Sequence, residues 1–370
     1  MTKRIQATTL ASLLMLAGCA GSNTLEAAAN AQTNVPTIIS TAAQNGAVIV
    51  KITPATSGDV IYYTIDGTTP TTSSQQYQDT FLLWSSTTVN AAEGPKGGSV
   101  GSVASQNFTL SVASGSLVWS DEFSNSTGSI LQPNNTVWGY NTGKGWGSSE
   151  LEDYCAWNST ISPCTNSSPN AYVGTDGYLH IVARQPSPGN YTSARMSTQG
   201  LFSFRYGRIE FRIKAPESQG IWPAAWLMGN NISVVNWPAC GEMDVMEHIN
   251  AALTPDWNLG SIHSTGVTGS NLGHAYFFPT GQNLAGWHTY GMIWSPGSIS
   301  YYIDDPTHPY VTYTPSSIAG LSGSVWPFDG SQSSFILLNV AVGGSWPGPP
   351  DATTVFPSEM LVDYVRIYAN

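Results

Sequence analysis

The stretch GRIEFRIK, residues Gly207–Lys214, narrows the choice of fold more than any other part of the chain. Ile209, Phe211 and Ile213 alternate there with Arg208, Glu210, Arg212 and Lys214. Successive side chains of a strand point to opposite faces, so this period of two predicts a strand with one apolar and one charged face. HTYGMIW (288–294) and SYYID (300–304) predict further strands of one sheet system, and FILLNVAV (335–342) predicts a strand buried on both faces. No segment carries an apolar period of helical length. Charged residues make up 9% of the chain and hydrophobic ones 41%, which excludes a coiled coil or helical repeat, rich in Lys and Glu, and a disordered chain of high charge. The fold class is therefore all-β. With many strands and no strand–helix–strand rhythm, residues 117–370 predict a double-sheet sandwich of jelly-roll type.

Ahead of that domain the composition changes three times. Residues 1–19 place Lys3 and Arg4 before a short apolar run ending at Leu16, which reads as an export signal too short to remain as a membrane span. Its ending, Leu16-Ala17-Gly18-Cys19, resembles a bacterial lipobox, in which Cys19 would carry a lipid anchor. Ordinary cleavage that discards Cys19 is the alternative. The expected location is the cell envelope, lipid-anchored, or the exterior. Residues 20–35 are small and polar, as a linker would be. From 36 to 111 short alternating strands, VIVKIT, VIYYTI, TTVNAA and ASQNFTL, predict a small β-sandwich. Its segment GDVIYYTIDGTTPTTSS resembles the accessory domain known from the C-terminus of chitobiases, a resemblance that leaves spacer and weak glycan binder equally open. A hinge is expected over 111–116.

The formal net charge of −11 is the wrong sign for a polyanionic ligand such as nucleic acid or a sulfated glycan, so a neutral ligand is expected. Cys155 and Cys164 lie close together in a Pro/Asn/Ser-rich segment that an exported protein can close by a disulfide. Cys240 is left over and reads as a buried small hydrophobe. Gly97-Gly-Ser99-Val-Gly101 matches a nucleophile-elbow pattern by letters alone, since no helix follows it.

The chemistry concentrates in Trp237–His248, WPACGEMDVMEH, which packs Glu242, Asp244 and Glu247 into six residues of a chain with 23 acids in 370. Interleaved Met243, Val245 and Met246 point to a strand, on which Glu242 and Asp244 share a face. Glu247 breaks the alternation. A β-bulge at Val245 or Met246 would absorb one extra residue and return Glu247 to that face. Three like charges on one face repel, and no Lys or Arg lies between Lys214 and Arg366 to pair with them locally. Such an arrangement suits a retaining glycosidase: at about 3.3 Å per residue, side chains leaning together bring the Glu242 and Glu247 carboxyls to roughly 5–6 Å. In that chemistry one carboxylate attacks and a second, still protonated, donates to the departing oxygen.

GEMDVMEH, preceded by GIWPAAWLM (220–228) and followed by GSIH (260–263), resembles glycoside hydrolase family 16, most closely its endo-β-1,3-glucanases or laminarinases. The likeness extends from VWSDEF (118–123) through SSELEDY, YGRIEFRIKAP and GWHTYGMIW to LVDYVRIY (361–368). It implies Glu242 as nucleophile, Asp244 as assisting acid and Glu247 as acid/base, and places the spacing in the family's bulged subgroup; the lichenase-like subgroup has one residue fewer. It implies substrate-binding roles for Trp222, Trp226 and Trp237, for His263, for Glu150 in SSELEDY and for Arg195. Core packing is the alternative for Trp226, a structural hydrogen bond for His263 and a solvated surface residue for Arg195. The resemblance also implies a structural calcium through acids such as Glu122 and Asp363, with no cofactor needed for catalysis. The expected partner is a β-glucan polysaccharide and the expected state a monomer. Agarose or mixed-linkage glucan as substrate, and a β-glucan-binding module without catalysis, are the alternatives.

Overall fold

The computed structural model describes residues 34–249, 256–268, 272–330 and 332–370. The expected signal sequence, Cys19 and most of the linker lie outside the described residues. Strands dominate, and the α-helices among the described residues are two single turns, Ile232–Val235 and Pro315–Ile318.

The small domain is a sandwich of two sheets. One carries Thr37–Ala42, Val48–Thr53 and β1 (Thr80–Leu83); the other carries Gln75–Gln76, Val60–Thr64, Ser85–Gly94 and Val103–Ser111. Alternation places Val50, Ile52, Ile61, Tyr63, Phe81, Val89 and Phe108 between them as a compact core. The strands at Thr37 and Thr80 are additions to those the alternation predicts.

The large domain stacks a ten-stranded sheet on a seven-stranded one in the expected jelly-roll manner. The ten-stranded sheet has Ser358–Tyr368 and Gly207–Lys214 at its centre. Ile209, Phe211 and Ile213 are fully buried against the other sheet, and burial of each such side chain contributes about 1.5–3 kcal/mol. The opposite face of GRIEFRIK is not simply solvated: Glu210 is buried, accepts the Tyr302 hydroxyl at 2.7 Å and pairs with Arg208. In the seven-stranded sheet, Trp257–His263, Glu242–Glu247, Ile221–Gly229 and Ser334–Val342 are hydrogen-bonded neighbours in that order. In chain order, the labelled strands of this domain are β2 (Phe202–Ser203), β3 (Ile221–Gly229), β4 (Glu242–Glu247), β5 (Trp257–His263) and β6 (Ser334–Val342).

FILLNVAV lies in β6, and all nine β6 residues are buried. Ile336, Leu338, Val340 and Val342 enter the main core, while Phe335 and Leu337 join Ala224, Trp226 and Met228 in a second cluster on the sheet's other face. Cys155 and Cys164 form a disulfide, and Cys240 is a buried free thiol.

The two sandwiches are not separate bodies on a hinge. β1 of the small domain pairs in parallel with β2 of the large one, Thr80 opposite Phe202 and Phe81 opposite Ser203. Ala47 and Leu82 of the small domain enter the large domain's core beside Trp119 and Phe202. Nothing in the local sequence around Thr80 shows that the edge of this strand is paired with a strand more than a hundred residues away.

Candidate active site

β4 leaves regular register after Asp244. Against β3, Asp244 stands opposite Trp226 and Met246 opposite Ala225, so Val245 has no partner there. Against β5, Asp244 faces Ser261 and Glu247 faces Leu259, leaving Val245 and Met246 to a single residue, Gly260. A Cβ on that glycine would stand 2.4 Å from the Tyr310 hydroxyl oxygen and 2.9 Å from the Tyr301 ring, so a larger residue there must displace two tyrosines. The bulge turns Met243, Val245 and Met246 into the main core. Glu242, Asp244 and Glu247 are left on the face that carries Trp222 and Trp226.

Each carboxylate has its own partners. Glu242 Oε2 accepts the Trp237 indole N–H at 2.5 Å, and Glu247 Oε1 accepts that of Trp222 at 3.0 Å. Asp244 is buried, accepts the Ser261 hydroxyl at 2.7 Å and lies 3.1 Å from His263 Nε2 through the same oxygen. His263 stands opposite Glu242 in the β4–β5 ladder. Ligating atoms of Glu242, Asp244 and His263 all fall within 4.8 Å of one another.

Burial pushes Glu242 well above the usual carboxylate range, and the Asp244 charge adds to it. Burial pushes Glu247 up strongly too, reinforced by the charges of both Asp244 and Glu242. Burial works against a charged His263, but its hydrogen bond to Asp244 and the charges of the three acids prevail and raise it to about 9. The cluster thus holds one imidazolium, with the proton hardest to remove on Glu247, which faces two negative neighbours. An ionised and a protonated carboxyl on one strand face can deliver nucleophilic attack and proton donation across a single bond.

Around the acids, Arg195 is buried with its guanidinium between the rings of Trp146 and Trp226, 5.1 and 4.8 Å from their centroids, so it is not a solvated surface residue. Trp226 is buried and donates to Asn339 Oδ1 at 2.8 Å, while Trp237 is 47% exposed. Glu150 accepts the Tyr154 hydroxyl at 2.9 Å. Trp346, edge-on to Trp222 at 5.2 Å, and Asn339 belong to this neighbourhood and are additions to the residues singled out from sequence. Asn339 had a signal: it is the one polar residue in FILLNVAV.

The expected calcium pair does not fit. Glu122 accepts both Nε and Nη2 of Arg366, at 2.9 and 2.8 Å, and Asp363 is held by Arg212. Each carboxylate is neutralised by a guanidinium, whereas a calcium ion needs six or more oxygens free to face it.

The sequence profile described as Glycosyl hydrolases family 16 matches residues 159–355, more than half of the chain. The chain belongs to glycosyl hydrolases family 16. The chitobiase/beta-hexosaminidase C-terminal domain profile matches residues 40–111. Among family 16 relatives, the glucan endo-1,3-beta-glucosidase A1 of Niallia circulans is 34% identical over 70% of this chain, which spans 38% of that longer protein. The beta-glucanase of Rhodothermus marinus is 36% identical, with 68% of this chain and 84% of that protein covered. The catalytic domain of an endo-1,3-beta-glucanase (laminarinase) from Thermotoga petrophila RKU-1 superposes with a TM-score of 0.59 at 36% identity, covering 69% of this chain and 98% of that one.

Proposed function

We propose that the protein is a retaining, endo-acting hydrolase of β-1,3-glucan. The observation that carries this reading is the bulge at Val245, which sets Glu242, Asp244 and Glu247 on one face beside Trp222 and Trp237. Relatives named as 1,3-β-glucanases supply the linkage, and the net charge of −11 favours a neutral glycan over a sulfated one.

Glu242 is the nucleophile. Its carboxylate, oriented by the Trp237 N–H, attacks the anomeric carbon while Glu247 passes its proton to the glycosidic oxygen and the carbon–oxygen bond breaks. Glu247, now ionised and held by the Trp222 N–H, takes a proton from water, whose oxygen attacks the same carbon and releases Glu242. Asp244 with His263 sets the field between them: the negative charge discourages ionisation of Glu247 before transfer, and the imidazolium keeps the cluster from excess charge. Trp222 and Trp237 offer faces for the apolar C–H surfaces of sugar rings, while Trp226 is buried beneath Arg195.

Reducing ends released from laminarin, lichenan, agarose and carrageenan decide the substrate, with laminarin expected to be cut fastest. Proton NMR of the first products is expected to show retained β configuration, and an initial α product would overturn double displacement. Lys3, Arg4 and the Leu16–Cys19 ending support export with a lipid anchor at Cys19, which mass spectrometry of the mature N-terminus tests. The enzyme is proposed to act as a monomer.

A further inference from the structure

Asp79, the residue before β1 in the small domain, is 4% exposed, and among the described residues its side-chain hydrogen-bond partners lie in the large domain. Oδ1 accepts from the Ser203 hydroxyl at 2.6 Å and from Asn230 Nδ2 at 2.9 Å, and Oδ2 accepts the Gly200 N–H at 3.3 Å. The Ser203 hydroxyl also meets that of Ser333 at 2.8 Å, and the Asn230 N–H donates to the Ser333 carbonyl at 2.9 Å. One carboxylate therefore ties together the β2 turn, the residue after β3 and the residue before β6. A buried carboxylate facing only neutral donors is costly to desolvate and holds only while the donors stay aligned, so it fixes their geometry more sharply than apolar packing would.

From Asn230 the path to the catalytic strand is short. Gly229 donates its N–H to the Gly241 carbonyl at 2.9 Å, and Met228 is the register partner of Glu242. There is no slack at this turn, since a Cβ on Gly229 would stand 1.9 Å from the Cys240 carbonyl oxygen. The Asn231 side chain donates to Gln332, whose Nε2 donates to that same carbonyl at 2.7 Å.

We propose that Asp79 is a positioning residue of the hydrolase: by holding the Gly229–Asn230 turn it sets the Glu242 end of β4, which makes the small domain a buttress of the active site. This rests on the reading of Glu242 as nucleophile, and it gives the small domain a task distinct from glycan binding.

The test compares full-length Asp79→Ala, Asp79→Asn and wild-type enzyme on laminarin, well below the unfolding temperature and per folded molecule. Asp79→Ala is expected to lower kcat by about tenfold with KM changed less than about twofold, because a small displacement of a reacting group is felt in turnover. Asp79→Asn, which keeps an oxygen for Ser203 and Asn230 but loses the acceptor of the Gly200 N–H, is expected to recover part of the loss. Unchanged kcat in Asp79→Ala, whatever its thermal stability, overturns the proposal. Should that variant fail to fold, Ser203→Ala removes one donor and carries the same comparison. Hydrogen exchange over residues 229–244 reads the positioning without substrate: faster exchange in the variant supports it and unchanged exchange overturns it. A wild-type enzyme inactive on laminarin counts against the functional reading alone, because the exchange result still decides the role of Asp79.

Discussion

His263 Nε2 lies 3.1 Å from Asp244 Oδ2, placing the cluster's one cation directly against the acid that stands between the two glutamates. Asp244 is buried and His263 is mostly shielded from solvent, so the charge of the imidazolium reaches Glu242 and Glu247 with little screening. Replacing the ring by alanine removes a charge that lowers both glutamates. His263→Ala is therefore expected to move the acidic limb of the kcat/KM profile to higher pH, as Glu242 becomes harder to ionise, and to cost about 10–100-fold in turnover. The pair's contribution to stability has its own pH window. His263 is raised from its ordinary range to about 9, so its stabilisation is complete below about pH 6.5 and fades as pH climbs through 9. Thermal unfolding of wild type and His263→Ala across pH 6–10 should show the two curves converging at the alkaline end.

Glu242→Gln should separate catalysis from stability. The amide retains an acceptor for Trp237 but cannot attack, so hydrolysis is expected to fall to background. A carboxyl whose folded value is raised loses stabilisation as pH rises from its unfolded value toward the folded one. Removing it should therefore make the variant more stable than wild type at pH 8, with the difference vanishing near pH 4. Calorimetry at the two pH values checks the sign.

Trp222→Phe keeps the ring and removes the N–H that Glu247 accepts at 3.0 Å. That hydrogen bond favours the ionised form, so its loss raises Glu247 further and moves the basic limb of the profile upward. Turnover should fall by about tenfold, most visibly in the step where Glu247 acts as base. A basic limb that stays in place would mean the indole N–H does not act on the acid/base.

Deleting Val245 tests the strand geometry itself. The shortened sequence, Glu-Met-Asp-Met-Glu, alternates regularly and keeps all three acids on one face without a bulge. Deleting Met243 instead puts Glu242 and Asp244 on opposite faces. The Val245 deletion is expected to fold and retain activity reduced by about 10–100-fold, whereas the Met243 deletion should be inactive. Circular dichroism and laminarin hydrolysis of the two proteins make the comparison.

Much of the architecture follows from local rules that need no neighbour. Alternation in GRIEFRIK and VIYYTI fixes strands because side chains of a pleated ribbon point alternately up and down, the unbroken apolar run FILLNVAV marks a strand covered on both faces, and the three acids announce a bulge because only an extra residue reconciles Glu247 with Glu242. Sequence also marks Asn339, a lone amide in an apolar run. What it does not hold is which distant groups meet. By resemblance Glu122 and Asp363 read as oxygen ligands until the fold brings Arg366 and Arg212 against them, and Arg195 stands between a cleft residue and a solvated one until Trp146 and Trp226 are found around it. Asp79 looks like an ordinary turn acid in a separate domain, yet tertiary packing buries it among donors more than a hundred residues away. Strand identity is set by each residue's own neighbours along the chain, whereas the charge state and task of a carboxylate are set by whatever the fold lays across it.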